Sequence, residues 1–195
     1  TELYNIKTDP GQKDNIMNEN KDIANAMHKF YDDWWEDASK EFRYSYIDIY
    51  PNITNTITAH DVQVNSITAW DQSVIRKGIP YELGKFNVDF KKSGEYEITL
   101  RRWPKESNLN LRDGIDDFIP AKKYWDQQSS GKSMNIVSAY IKIGDKEYKV
   151  DLSDNLKTAS INIDINSGKT SLEPGFILDN GETSIAFYTD IDFLF

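Results

Sequence analysis

The chain has 195 residues, of which 38% are hydrophobic and 13% aromatic, which is enough to build one domain around a full core. Its 23 Lys and Arg against 32 Asp and Glu give a formal net charge of −9, so neither nucleic acid nor an anionic membrane is expected as a partner. No apolar run approaches the roughly 20 residues of a membrane-spanning helix, which predicts no membrane insertion. The absence of cysteine excludes disulfides and thiolate metal sites.

Residues 1–42 predict a short strand, a turn and one long helix. Residues 1–6 have the composition of a strand and lack the features of a signal peptide, so we expect them to lie within a longer chain. Asp-Pro-Gly at residues 9–11 is a turn signal. The helix is predicted to begin at Asn18 or Asn20 and to run to about Phe42. Its apolar positions recur at the helical period and form one broad aromatic stripe: Ile23, Met27, Phe30, Trp34, Ala38 and Phe42, widened by Tyr31 and Trp35.

After Phe42 the hydrophobic period changes to two, which predicts a second domain at residues 43–195. Strands are expected where apolar and polar residues alternate: 43–49, 55–62, 86–90, 96–100, 137–143, 148–152, 161–165 and 183–195. Gly144-Asp145 between two such runs predicts a hairpin. Residues 105–133 are polar and turn-rich, so we expect a long loop there. The fold class is therefore mainly β: an antiparallel sandwich or jelly roll of about eight strands, preceded by the strand and the long helix.

Several stretches resemble formylglycine-dependent bacterial arylsulfatases. Leu-Tyr-Asn-Ile and Asp-Pro-Gly in residues 2–12, followed by Tyr-Asp-Asp-Trp-Trp at 31–35, are similar to the end of the sulfatase C-terminal subdomain. Thr-Ala-His-Asp at 58–61, Trp-Asp-Gln at 70–72 and Leu-Arg-Arg-Trp-Pro at 100–104 are similar to an additional C-terminal region found in some of these enzymes. The resemblance covers about the first hundred residues.

The resemblance implies that the chain is the non-catalytic C-terminal portion of a parent enzyme that hydrolyses sulfate esters of glycans in the periplasm or at the cell surface. The partner implied is the sulfatase catalytic domain of the same parent chain, with a sulfated glycan as a further candidate. Trp34 and Trp35 are the predicted docking residues. Trp34 would pack beneath the sandwich or the sulfatase subdomain sheet, and Trp35 would seal the junction between helix and sandwich, because neighbouring helix positions differ by about 100°.

The sequence predicts no catalytic residue in this fragment. Sulfatases of this class make their nucleophile from Cys or Ser in a Cys/Ser-x-Pro-x-Arg motif, and a divalent metal, Ca²⁺, assists it. None of the six prolines has Cys or Ser two positions before it, so the fragment is predicted to contain neither formylglycine nor the metal. His60 and Asp61 could form part of a Ser-His-Asp site, but adjacent residues on a strand face opposite ways. Asp113 with residues 116–117 could bind Ca²⁺ but lacks a regular spacing, so a solvated loop is favoured.

Two arginines are candidates for ligand binding. Arg102 lies in phase with the apolar residues of its strand, and a guanidinium there needs a carboxylate or carbonyl partner. One hypothesis is a buried ion pair with Asp61 or Asp71, which we favour. The other is that Arg101 and Arg102 face a cleft and bind the sulfate or carboxylate of a polyanionic glycan.

Aromatic residues are candidates for stacking on sugars, and Trp125, within a polar loop, is the best of them. Trp70, Trp103 and Tyr124 are the others, and His60 is a further ligand-binding candidate. Val62 follows His60-Asp61 where the resemblance leads us to expect Trp. Three roles therefore remain open: an accessory domain packed on the catalytic domain, an autonomous carbohydrate-binding module, and a purely structural domain.

Overall fold

A computed structural model describes residues 1–40, 45–62, 72–78, 84–115 and 130–195. The chain divides into two compact units, Thr1–Tyr44 and Ser45–Phe195. The sequence placed this boundary after Phe42. The described residues contain two α-helices and ten β-strands, as follows: α1 Lys21–Lys40, β1 Ile47–Ile49, β2 Asn55–Thr58, α2 Gln72–Arg76, β3 Phe86–Phe90, β4 Gly94–Arg101, β5 Ile136–Ile143, β6 Lys146–Asp151, β7 Ala159–Ile165, β8 Gly168–Leu178, β9 Thr183–Ile185 and β10 Tyr188–Phe193.

The first unit consists of turns followed by the long helix. Residues 1–6 form turns and irregular backbone, so the strand predicted there is absent. A strand needs a partner for its backbone groups, whereas the Leu3 N–H donates to the side chain of Asn15 (3.1 Å) and the Leu3 carbonyl accepts from Ile16 N–H (2.9 Å). α1 begins directly after Asn20, one of the two predicted start points, and extends for 20 residues.

The second unit is the predicted β-sandwich. One sheet has the strand order β1-β3-β8-β5-β6, with β9 paired to β8, and the other has the order β2-β10-β4-β7. All neighbours are antiparallel except β1 and β3, which are parallel, so the prediction of an antiparallel sandwich holds for every pair but this one. The jelly-roll connectivity stays a prediction. Buried side chains from both sheets meet in one core, including Phe86, Phe90, Leu172 and Phe176 from the first and Tyr96, Ile98, Leu100 and Ile191 from the second.

The predicted hairpin is confirmed: β5 and β6 pair up to Ile143 and Lys146, and Gly144 has a φ of 56°, as the first central residue of a tight hairpin requires. The run predicted at 183–195 is divided into β9 and β10, which belong to different sheets, so the chain crosses the sandwich at Ala186-Phe187. β8, at the centre of its sheet, was not predicted, because Pro174 and Gly175 interrupt its apolar alternation.

Pro174 is tolerated in β8 because it lies where β8 is paired with neither β3 nor β9. β3 pairs with residues 168–172 of β8 and β9 with residues 175–177, so Pro174 lies in the gap between them. Its carbonyl accepts a hydrogen bond from Ala186 N–H across this gap (3.1 Å). In an antiparallel strand the backbone N and O of one residue point toward the same neighbouring strand. The nitrogen of Pro174 therefore points into this gap and not toward β5, so no ladder bond to β5 is lost.

Candidate functional surfaces

Arg101, at the end of β4, forms a buried ion pair with Asp190 of β10. Arg101 is 5% exposed and Asp190 3%. Both terminal guanidinium nitrogens donate to the carboxylate, Nη2 to Oδ1 at 3.1 Å, so the pair is bidentate. The ring of Tyr188 lies 5.9 Å from the guanidinium carbon. The geometry places the charge of Arg101 on a protein carboxylate rather than in a cleft.

Two more groups complete the environment of Asp190. Lys105 Nζ lies 2.8 Å from the carboxylate, and Thr56 of β2 donates its hydroxyl at 2.8 Å. Burial raises the pKa of Asp190, but hydrogen bonds from Arg101, Lys105 and Thr56 outweigh this and lower the pKa to about 2. The cluster therefore ties three neighbouring strands together through one ionised carboxylate.

Arg102, the residue after β4, is 1% exposed and binds backbone carbonyls. Its Nη1 donates to the carbonyl of Asp113 (3.0 Å), and its Nη2 donates to those of Ile75 (3.1 Å) and Lys132 (2.6 Å). Burial lowers the pKa of Arg102 to about 10, so it stays protonated at neutral pH. Among the described residues, the hydrogen-bond acceptors of Arg102 are backbone carbonyls, one of the two acceptor classes that the sequence allowed.

The favoured ion pair of Arg102 with Asp61 is wrong. The Asp61 carboxylate accepts instead from the backbone N–H (2.8 Å) and hydroxyl (3.0 Å) of Thr58, capping the 3₁₀ turn Ala59–Asp61. The alternative partner, Asp71, lies outside the described residues. His60 occupies this turn rather than a strand and is exposed.

Trp103 is also buried, at 5% exposure, so its ring offers no face for a sugar. One face is occupied by Arg102, whose guanidinium carbon lies 4.4 Å from the ring, and its Nε1 donates to the carbonyl of Asp113 (3.1 Å). Arg101, Arg102 and Trp103 were predicted as ligand-binding residues, and in this structure all three have internal partners. Their burial gives no support to the hypothesis that the two arginines face a glycan-binding cleft.

The Arg102 contacts gather three separate segments at one end of the sandwich. Its acceptors belong to α2, to residues 108–115 and to residues 130–135. The same segments are linked by backbone bonds from Lys132 N–H to Arg76 O (2.8 Å) and between Ile115 and Gly131. Within the predicted loop at 105–133, the described residues form a 3₁₀ turn at Lys105–Ser107 and no other helix or strand. Arg102 is therefore an internal clamp.

Several predicted site residues lie outside the described residues, namely Trp70, Tyr124, Trp125 and the aspartates 116 and 117. Asp113 is described, and its carboxylate accepts from Asn110 N–H (2.8 Å). Among the described residues no group of three His, Asp or Glu side chains is arranged to hold a metal ion.

A cleft of about 300 Å³ lies between residues 110–113 and 152–156. Its most basic side chain, Arg112, is occupied by protein acceptors: Nε donates to Ile136 O (2.6 Å), Nη2 to Leu152 O (3.3 Å), and Nη1 pairs with Asp154. Among the described residues that line the cleft, there is therefore no free cation for an anionic ligand.

The aromatic side chains of α1 form an exposed apolar surface on the first unit. Phe30 is 74% exposed, Tyr31 54%, Trp34 53% and Trp35 44%. Tyr31 stacks parallel to Trp35 with ring centres 6.4 Å apart, and Trp34 contacts both rings. This surface, called the α1 aromatic face below, contains both predicted docking residues.

The sequence did not single out the outer side of β1, where Tyr46, Asp48 and Tyr50 lie. Tyr46 is 39% exposed and Tyr50 45%. The sequence did contain a signal for this outward-facing side, since these residues alternate with the core residues Ile47 and Ile49. Lys91 pairs with both Asp48 and Asp89 at 2.7 Å, which holds this edge strand to β3.

Comparison with known proteins gives little information. No protein-family model and no curated protein matches the chain. Among solved structures it is similar to the crystal structure of a ruminal GH26 endo-beta-1,4-mannanase, at 15% sequence identity and a TM-score of 0.41. The similarity covers 75% of this chain and 27% of that one, so the chain spans about a quarter of the enzyme's length. A similarity of this size implies nothing about the activity of the chain.

In the described residues no helix is both long and apolar enough to cross a membrane.

Proposed function

We propose that this chain is a non-catalytic accessory region of a bacterial arylsulfatase and that it packs on the catalytic domain of the same parent chain through the α1 aromatic face. The motifs at residues 2–12, 31–35 and 100–104 support the family, and the parent enzyme would hydrolyse sulfate esters of glycans in the periplasm or at the cell surface. Formylglycine and the divalent metal would belong to the catalytic domain.

The exposure of the α1 aromatic face is the observation that carries the docking role. Covering a large apolar side chain contributes about 1.5–3 kcal/mol, so four adjacent exposed aromatics favour a covered state. Polar residues of α1 pair instead among themselves, as Lys29 does with Asp33 at 2.8 Å. The helix thus has one side suited to water and one suited to a protein surface.

The arginines support an accessory role rather than a catalytic one. Arg101 is neutralised by Asp190, and Arg102 is bound to three carbonyls. Neither side chain is free to stabilise the charge of a reacting sulfate. We therefore expect the isolated chain to release no sulfate from an aryl sulfate, and turnover by the pure chain would contradict the proposal.

The family is tested by reading the coding sequence upstream of Thr1. We expect it to encode a domain with a Cys/Ser-x-Pro-x-Arg motif. A start codon directly before Thr1, or a domain without that motif, would refute the assignment.

The docking role is tested in the parent protein with Trp34→Ser. We expect this change to lower the unfolding free energy of the catalytic domain by about 1.5–3 kcal/mol, because a covered apolar side chain is lost. Ile53→Ser is the matched control, since Ile53 is 55% exposed on the second unit. Equal thermal and urea stability of the Trp34→Ser variant and the control would show that the α1 aromatic face is not the docking surface.

A further inference from the structure

Tyr46, Asp48 and Tyr50 present their side chains on one side of the edge strand β1. The hydroxyl of Tyr50 donates to Asp48 Oδ2 at 3.1 Å, which places these two together. Lys169 Nζ lies 4.7 Å from the ring centre of Tyr46. Lys169 is opposite Asp89, and Asp89 is opposite Asp48, so the ring of Tyr46 lies on the same side as Asp48. The three residues form a continuous row, called the tyrosine row below.

The two rings of the tyrosine row are accessible. In the described part of the second unit, the exposed aromatic side chains are Tyr46, Tyr50 and Phe195. Tyr46 and Tyr50 flank the three-residue strand β1, and in extended backbone the Cα atoms of residues four apart are separated by about 13 Å at 3.3 Å per residue. This separation suits an extended ligand that contacts both rings, not a single small ring.

The charges along the row balance. Asp48 and Asp89 supply two carboxylates, and Lys91 and Lys169 supply two ammonium groups. Lys91 bridges both carboxylates at 2.7 Å. A strongly anionic or cationic ligand therefore gains no net attraction here. Asp48, whose side chain is 42% exposed, retains acceptor capacity between the rings.

These features select one chemical class. A tyrosine ring presents an apolar face and a polar hydroxyl tip, which suits a molecule with C–H faces and many hydroxyl groups. A carboxylate and ammonium groups between the rings can accept and donate hydrogen bonds to hydroxyls. We propose that the tyrosine row binds an uncharged oligosaccharide along β1, with pyranose faces on Tyr46 and Tyr50 and hydroxyls at Asp48. This site is independent of the α1 aromatic face, so it can fail while the accessory role stands, and the reverse.

The test uses the chain itself and uncharged hexasaccharides of glucose, mannose and xylose, titrated by calorimetry. We expect saturable binding of at least one of them at millimolar or lower concentration, insensitive to salt because the row carries no net charge. No binding of any uncharged hexasaccharide would overturn the proposal. So would binding restricted to a sulfated hexasaccharide with an affinity that falls as salt rises.

Variants locate the site. Tyr46→Ala and Tyr50→Ala should each weaken binding about 2–10-fold, the range expected for losing one aromatic contact. Tyr46→Phe keeps the ring and should bind like the unmodified chain. Phe195→Ala is the matched control, because Phe195 is an aromatic residue of the same unit, 78% exposed and outside the tyrosine row. Circular dichroism checks the fold of each variant, and unchanged affinity in Tyr46→Ala/Tyr50→Ala would refute the assignment.

Discussion

Replacing Arg102 with Met tests whether the carbonyl clamp stabilises the fold. Arg102 is 1% exposed and donates to the carbonyls of Ile75, Asp113 and Lys132. Met keeps much of the volume and apolar packing but has no donor. The carbonyl of Asp113 would still accept from Trp103 Nε1, whereas the other two would lose this donor.

The size of the effect follows from those two carbonyls. A buried acceptor left without a donor costs about 1–3 kcal/mol, so two cost about 2–6 kcal/mol. Removing a guanidinium that was costly to bury offsets part of this. We expect Arg102→Met to lower the free energy of unfolding by about 3 kcal/mol.

Urea unfolding, followed by tryptophan fluorescence and circular dichroism, measures this difference. Lys149→Met is the matched control, since Lys149 is an exposed cation on β6, and its replacement should change the free energy of unfolding by less than about 0.5 kcal/mol. If Arg102→Met unfolds within that margin of the unmodified chain, the clamp contributes no stability and the reasoning fails.

Two further predictions concern the sandwich. Because the folded-state pKa of Asp190 is about 2, against an ordinary value of 3.8, it contributes about 2 kcal/mol that is present above pH 4 and lost as the pH falls toward 2. Urea titrations from pH 2 to 7 measure how the free energy of unfolding depends on pH. This dependence should be weaker in Asp190→Asn but not in Asp164→Asn, where Asp164 is an exposed carboxylate on β7; an equal pH dependence of the two variants would contradict the prediction. Gly175→Ala should destabilise by about 1–3 kcal/mol, because a new Cβ would lie 2.6 Å from Tyr140 Oη. Thermal melts compare it with Gly11→Ala, whose Cβ would meet only the Lys13 side chain, and equal melting temperatures would refute the clash.

Much of the sandwich was predictable because one face of most strands is buried. The alternation in β3, β4 and β7 follows directly from a core on one side and polar neighbours on the other. β8 was not predicted because its alternation of apolar and polar residues is interrupted by Pro174 and Gly175. The proline is tolerated by a gap in pairing, and the glycine accommodates the ring of Tyr140. Both reasons depend on neighbouring strands distant in sequence.

The arginines show the same limit at the level of the site. Strand phase placed Arg102 on the apolar side and limited its partners to carboxylates or carbonyls. Which carbonyls it binds depends on segments up to 30 residues away. Arg101 is in the polar phase of the strand, yet Asp190, 89 residues later, forms a buried ion pair with it. Pattern along one strand cannot reveal a partner on another.

The crossing at Ala186-Phe187 has a mechanical consequence. Only two residues separate β9 in one sheet from β10 in the other, and both are anchored, Ala186 N–H to Pro174 O and Phe187 O to Ala59 N–H. Because this connection is so short, neither sheet can move relative to the other without displacing β9, which pairs with β8, or β10, which lies between β2 and β4. The sandwich should therefore lose its two layers together, in a single all-or-none transition.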